Sequence, residues 1–237
     1  MPDSTAAVHI FIDFDSTLVS VESLDELIFT GLKDLPEDEQ KKRRAAIQMI
    51  TKQGMEGAIP FNRSLAMRLK EAELSRDVVD SFGKTLIPYI TKNMKAVFSK
   101  FKAAGHEVHI ISGGFKPCLM PVAEELGVDP HHVFGNEFVY DEEGRVTGFN
   151  PDNPLSLSHG KARFLDSMGP KGLRIFVGDG ATDLETWEKG CVDTFIGYGE
   201  HAVRPKVKEN APYFVTSAKQ LETTIRKIID DALKTQR

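Results

Sequence analysis

Three short apolar runs each break directly into a polar, loop-forming sequence, and this pattern constrains the fold more than any other feature of the chain. Val8-His9-Ile10-Phe11-Ile12 ends at Asp13-Phe14-Asp15, Val108-His109-Ile110-Ile111 at Ser112-Gly113-Gly114, and Arg174-Ile175-Phe176-Val177 at Gly178-Asp179-Gly180. Runs of this length, apolar almost throughout, have the signature of strands buried on both faces. Helical patterns lie between and after them. Met94, Val97, Phe98 and Phe101 follow the i, i+3, i+4, i+7 spacing with Gly105 to stop the helix. Leu119, Val122, Ala123 and Leu126 repeat it before Gly127, and Leu221, Ile225, Ile228 and Ala232 form a third stripe. Strands alternating with helices predict an α/β three-layer sandwich around a mostly parallel, doubly wound sheet. Ligands of such sheets bind beyond the carboxyl ends of the strands, where the three polar loops fall.

Two segments break the alternation. Residues 21–88 carry helical patterns and no strand pattern, which predicts a helical cap domain inserted after the first strand into a core of residues 1–20 and 89–237. Residues 137–149 hold two β-prone runs around an acidic, glycine-containing turn and read as a small hairpin.

Composition narrows the function classes. The 237 residues carry a net charge of −5, which argues against nucleic acid as a partner. The one basic run, residues 41–44, follows acidic residues 37–39 and reads as a solvated helix face. No apolar stretch reaches the roughly 20 residues that cross a bilayer, and residues 1–7 lack the basic start and apolar run of a signal peptide. Cys118 and Cys191 cannot define a disulfide framework, so a cytoplasmic location is expected. Cys118 lies in a helical pattern and reads as a small buried residue.

The loops carry the chemistry. Asp13-Phe14-Asp15-Ser16-Thr17 can turn alternate carboxylates toward one point if the chain leaves the strand there, although D-x-D also occurs in solvated turns and calcium loops. Gly178-Asp179-Gly180-Ala181-Thr182-Asp183 offers two acids that suit a hard cation, or an Asp183 that only caps the next helix. The Ser112 hydroxyl and the backbone N–H groups beside it make a phosphate seat. Lys161 opens an amphipathic stretch and takes on a role only when these loops are assembled. Together they meet the needs of phosphoryl transfer: a carboxylate nucleophile, a second acid to move protons, and cations to offset phosphoryl charge.

These four motifs, in this order, resemble the haloacid dehalogenase superfamily of phosphatases. The resemblance implies Asp13 as nucleophile and Asp15 as general acid and base. It implies Mg2+ held by Asp13, the Asp15 carbonyl and Asp179, with Asp183 in support, and phosphate bound by Ser112 and Lys161. Neither acidic loop has the twelve-residue spacing of a helix–loop–helix calcium site.

The cap narrows the substrate. Glu22 opens Glu22-Ser23-Leu24-Asp25, and Met55-Glu56-Gly57 precedes Phe61. A helix starting at Phe61 would put Phe61, Leu65 and Arg68 on one face. An arginine there either snorkels to water or clamps a carboxylate. The set resembles the phosphoserine phosphatases, which implies substrate contacts from Glu22, Met55, Phe61, Arg68, Ser112, Gly113, Lys161 and Thr182. It implies a small phosphorylated metabolite, phosphoserine, as partner, the last step of serine synthesis as setting, and a monomer or homodimer. The alternative is a phosphatase or phosphotransferase of the same build acting on a phosphorylated amino alcohol or sugar acid.

Overall fold

The computed structural model describes residues 7–71 and 73–235. The segment read above for a leader therefore lies, apart from Ala7, outside the described residues. The strands in chain order are β1 (Val8–Ile12), β2 (Glu107–Phe115), β3 (Val133–Asn136), β4 (Phe138–Tyr140), β5 (Val146–Phe149), β6 (Leu173–Gly178), β7 (Thr194–Tyr198) and β8 (Tyr213–Val215). Six of them form one parallel sheet in the order β3-β2-β1-β6-β7-β8. The order reverses between β1 and β6, so a cleft opens at their carboxyl ends, beneath Asp13 and Asp179.

All five residues of β1 are buried, as a central parallel strand requires. Alternate residues serve two different apolar layers. Ile10, Ile12, Ile110 and Val177 pack with α5 (Met94–Ala103), α6 (Lys116–Glu125) and α10 (Ala218–Thr235). Phe11, Ile111, Phe176 and Phe195 pack with α7 (Gly160–Met168), α8 (Ala181–Glu188) and α9 (Pro205–Asn210) on the other face. This is the doubly wound, three-layer arrangement the sequence predicts.

Two features differ from the sequence reading. Strands β3, β7 and β8 carry no clear apolar run, because they are short or interrupted by Gly135 and Gly197. Ser112-Gly113-Gly114 is not a loop: β2 continues through it to Phe115, and its pairing with β3 slips register between Ile111 and Phe115. Asn136 Nδ2 donates to the Gly113 carbonyl at 2.8 Å and holds the irregular stretch in place.

Between Val19 and Ile90, which form an isolated antiparallel bridge, lie α1 (Ser23–Gly31), α2 (Glu37–Met55), α3 (Phe61–Leu69), α4 (Arg76–Phe82) and a 3-10 turn at Gly83–Tyr89. Ser20 N donates to Tyr89 O at 3.0 Å and Thr91 N to Leu18 O at 2.9 Å, so entry and exit are zipped side by side. Among the described residues the insertion has no core of its own. Leu27, Ile28, Leu65, Val79 and Phe82 are continuous with the apolar layer that covers one face of the sheet. Its base presses on α6 so closely that a Cβ at Gly83 would stand 2.3 Å from Pro117 O.

The predicted hairpin is β4–β5, antiparallel. Phe138 stacks on Phe115 at 3.8 Å, and Arg76 N donates to Gly144 O at 2.8 Å, tying hairpin, sheet and insertion together. In the basic run on α2, Arg43 pairs with Glu39 and Arg44 sits 4.3 Å over the Phe29 ring, while Lys41 and Lys42 face solvent. Both cysteines are free, and Cys118 is buried in α6. Among the described residues no helix is long and apolar enough to cross a membrane.

Candidate active site

Asp13 N makes the last sheet bond of β1, to Val177 O at 2.9 Å. The chain then turns: Leu18 N and Val19 N both donate to Phe14 O, and Ser16 adopts φ +54°. Phe14 is fully buried in the core while Asp13 and Asp15 both line the cleft, so the turn sends alternate residues to opposite sides.

Lys161 arrives from the first turn of α7. His159 at φ +64° precedes it, and Gly160 sits where a Cβ would stand 1.9 Å from Pro154 O, so glycine alone fits the approach. The ammonium lies 2.6 Å from Asp13 Oδ1 and 2.5 Å from Asp183 Oδ1. Asp183 also accepts from Gly180 N at 2.9 Å, so it caps α8 and neutralises Lys161 at once. Asp179 accepts from Thr17 Oγ1 at 3.3 Å and from Arg204 Nε at 2.8 Å.

Carboxylate oxygens of Asp13, Asp179 and Asp183 lie within 4.8 Å of one another, all three residues buried. Three hard oxygen donors suit a magnesium-type cation. The charge balance points the same way: Asp13, Asp15, Glu22, Asp179 and Asp183 surround Lys161 and Arg204, while Arg68 pairs with Asp25. Burial, reinforced by Asp13, pushes Asp15 up to about 7, against the pull of the Ser23 N–H donating at 2.7 Å. Burial, then the charges of Asp15 and Asp179, pushes Glu22 up to about 8. Burial and Asp13 likewise raise Asp179. Burial alone would lower Lys161, but Asp13 and Asp183 outweigh it and hold the group as an ammonium.

A cavity of about 540 Å³ opens over these groups. Glu22, Met55, Phe61, Arg68, Ser112, Gly113 and Thr182 all line it, together with Asp13, Asp15, Lys161 and Asp179. Asp183 is the exception, fully buried behind Lys161. Glu22, just before α1, accepts from Ser16 Oγ at 2.9 Å. Met55 ends α2 and Phe61 begins α3. The Phe61 ring packs on Gly113 so tightly that a Cβ there would stand 2.6 Å from its tip. Ser112 Oγ accepts from Gly114 N at 2.9 Å and is otherwise turned to the site.

Arg68 does not snorkel. It is 5% exposed and donates through Nη1 to Asp25 Oδ1 at 3.1 Å, while its Nε is buried with no partner. Sequence reasoning missed three residues here. Asp25 sits at i+3 from Glu22 on α1, a spacing that could have marked it; Thr51 on α2 donates to both its oxygens. Arg204, between β7 and α9, bridges Asp179 to Glu22 (3.9 Å) and reaches Met55 Sδ at 3.3 Å, and no motif announces it.

A family model for haloacid dehalogenase-like hydrolases matches residues 10–188. Phosphoserine phosphatase of Drosophila melanogaster is 34% identical over 213 residues, covering 88% of this chain and 74% of the relative. That of Bos taurus is 32% identical, covering 88% and 89%. The crystal structure of a phosphoserine phosphohydrolase-like protein from Francisella tularensis superposes with a TM-score of 0.82 at 30% identity, covering 92% of this chain and 99% of that one. The chain belongs to the haloacid dehalogenase-like hydrolase family and is a phosphoric monoester hydrolase.

Proposed function

We propose that the protein hydrolyses O-phospho-L-serine to L-serine and inorganic phosphate through an aspartyl-phosphate on Asp13. One observation carries this reading: a single cavity holds the buried Arg68 guanidinium and the Glu22 carboxylate together with the Asp13–Lys161 pair. Phosphoserine carries a carboxylate, an ammonium and a phosphoryl group, and each has a partner of opposite charge there. The Arg68 guanidinium, in the cavity lining, supplies donors for the carboxylate. An ammonium beside Glu22 offsets the burial, and the charges of Asp15 and Asp179, that raise its pKa. Relatives named phosphoserine phosphatase support the substrate choice.

In the first step an Asp13 oxygen attacks phosphorus and the serine alkoxide departs with the proton of Asp15. The raised pKa of Asp15 keeps that proton available near neutrality. In the second step Asp15, now ionised, takes a proton from water, which attacks phosphorus, releases phosphate and restores Asp13. Ser112, the neighbouring backbone and Lys161 hold the phosphoryl oxygens, with Thr182 at the rim. Mg2+, held by Asp13, the Asp15 carbonyl and Asp179 with Asp183 in support, would supply the positive charge that lets a carboxylate approach a phosphate dianion. In this reading residues 21–88 act as a cap domain on a core of residues 1–20 and 89–237. Met55 and Phe61 close the cavity around the substrate, and the enzyme works on a small metabolite in the cytoplasm.

The test is phosphate release from L-phosphoserine, with and without magnesium, beside phosphorylated amino alcohols and sugar acids. Magnesium-dependent preference for phosphoserine is expected. Preference for another ester would keep the Asp13 chemistry and overturn the substrate.

A further inference from the structure

The amino ends of β1 and β2 carry a second constellation, at the opposite edge of the sheet from the catalytic carboxylates. His9 and Glu107 are register partners on adjacent strands, and His109 follows Glu107 two residues on, so all three side chains share one face. His9 Nδ1 lies 3.3 Å from His109 Nε2 and 3.4 Å from Glu107 Oε2, and His109 Nε2 lies 3.6 Å from the same Glu107 oxygen. Both imidazoles are buried, at 7% and 2% exposure, while the Glu107 side chain is half in solvent.

From these distances we infer that His9, Glu107 and His109 form a zinc-type metal site, distinct from the magnesium site and about 13 Å away along β1. A tetrahedral zinc ion with Zn–N and Zn–O bonds of about 2.0–2.1 Å separates its ligand atoms by about 3.3–3.4 Å. The observed triangle matches one face of such a tetrahedron to within a few tenths of an ångström. Two imidazoles and one carboxylate are a donor set for zinc rather than magnesium.

Hydrogen-bond accounting supports the cation. His9 Nε2 lies 3.0 Å from Lys171 O, and a carbonyl only accepts, so the His9 proton sits on Nε2. With one proton on Nε2, the His9 Nδ1 lone pair is aimed into the triangle, where the Glu107 carboxylate is also an acceptor. One proton on His109 Nε2 would have to serve both acceptors. A cation at the centre satisfies all three atoms together. The His9–Lys171 contact then becomes the outer bond that fixes the tautomer of a metal-bound imidazole. Such a site clips β1 to β2 and to the turn before β6, and it stabilises the sheet without touching the reaction.

The test is zinc binding by the full chain in saturating magnesium, measured by calorimetry and by the thermal midpoint, for the wild type and Glu107→Gln. Glu107 is half-exposed and outside the catalytic cavity, so the variant should fold and keep its magnesium-dependent phosphate release. Zinc should bind the wild type with one equivalent more than the variant and raise its melting temperature. Loss of an outer partner alone costs about 10–100-fold in metal affinity, so loss of a ligand should weaken zinc by at least tenfold. Zinc taken up by the catalytic carboxylates is common to both chains and cancels. His9→Asn, which leaves Glu107 intact, should show the same loss. Equal zinc stoichiometry and equal thermal shifts in wild type and Glu107→Gln overturn the proposal.

Discussion

Arg68 Nη1 donates to Asp25 Oδ1 at 3.1 Å, and Asp25 in turn receives the Thr51 hydroxyl on both oxygens, at 2.9 and 2.8 Å. Both charges are buried, at 6% and 7% side-chain exposure, so the pair is an orienting device more than a source of stability. Asp25 holds one side of the guanidinium, while Nε is buried with no partner.

Asp25→Asn should therefore act on binding rather than on chemistry. The amide keeps the shape but loses a charge-assisted bond worth about 1.5–3 kcal/mol, and Arg68 gains freedom to turn. The KM for phosphoserine should rise by roughly tenfold or more with kcat little changed, while an aryl phosphate without a carboxylate is unaffected. Equal losses on both esters would make Arg68 and Asp25 a structural pair only.

Asp13→Asn should abolish phosphate release and leave the fold intact. Asp13 is among the charges that raise Asp15, Asp179 and Asp183, so its removal relieves crowding in the metal-free protein. The melting temperature without magnesium should hold or rise. Substantial metal-dependent turnover by this variant would sink the covalent route.

Buried acids also set a pH dependence of stability. Folding raises Asp15 from 3.8 to about 7 and Glu22 from 4.5 to about 8. The folded state then binds more protons than the unfolded one across that window, so stability falls as pH rises through it. The metal-free protein should melt at progressively lower temperature between about pH 4 and pH 8, and magnesium should flatten the slope. In Asp15→Asn the slope should shrink, and turnover should drop by about 10²–10⁴-fold with loss of the proton donor. A slope unchanged by Asp15→Asn would mean that Asp15 titrates normally.

The core of the site was legible because its chemistry is local. Asp13 directly follows β1 and Asp179 directly follows β6, so both could be placed at one sheet edge from periodicity alone. The strands β3, β7 and β8 were not legible, since Gly135, Gly197 and the brevity of Tyr213–Val215 erase the apolar run that marks a strand. Arg204 was hidden for a different reason. Its role comes from the β7–α9 connection folding back over Asp179 and Glu22, and no spacing within its own segment records that approach. The 21–88 insertion showed its helices but not that they share the apolar layer of the sheet, which depends on contacts such as Gly83 against Pro117.

Gly113 offers the sharpest test of the cavity wall. A Cβ at this position would stand 2.6 Å from the Phe61 ring tip, so alanine must push the ring away from β2 and into the cavity. Overpacking of this kind costs about 1–3 kcal/mol. Gly113→Ala should thus raise the KM for phosphoserine by roughly 5- to 150-fold, since about 1.4 kcal/mol is tenfold. Combining it with Phe61→Leu removes the clash, so the double variant should bind better than the sum of the two single losses predicts. Strict additivity in that cycle would mean that Gly113 matters for its backbone at the phosphate seat and not for its fit against Phe61.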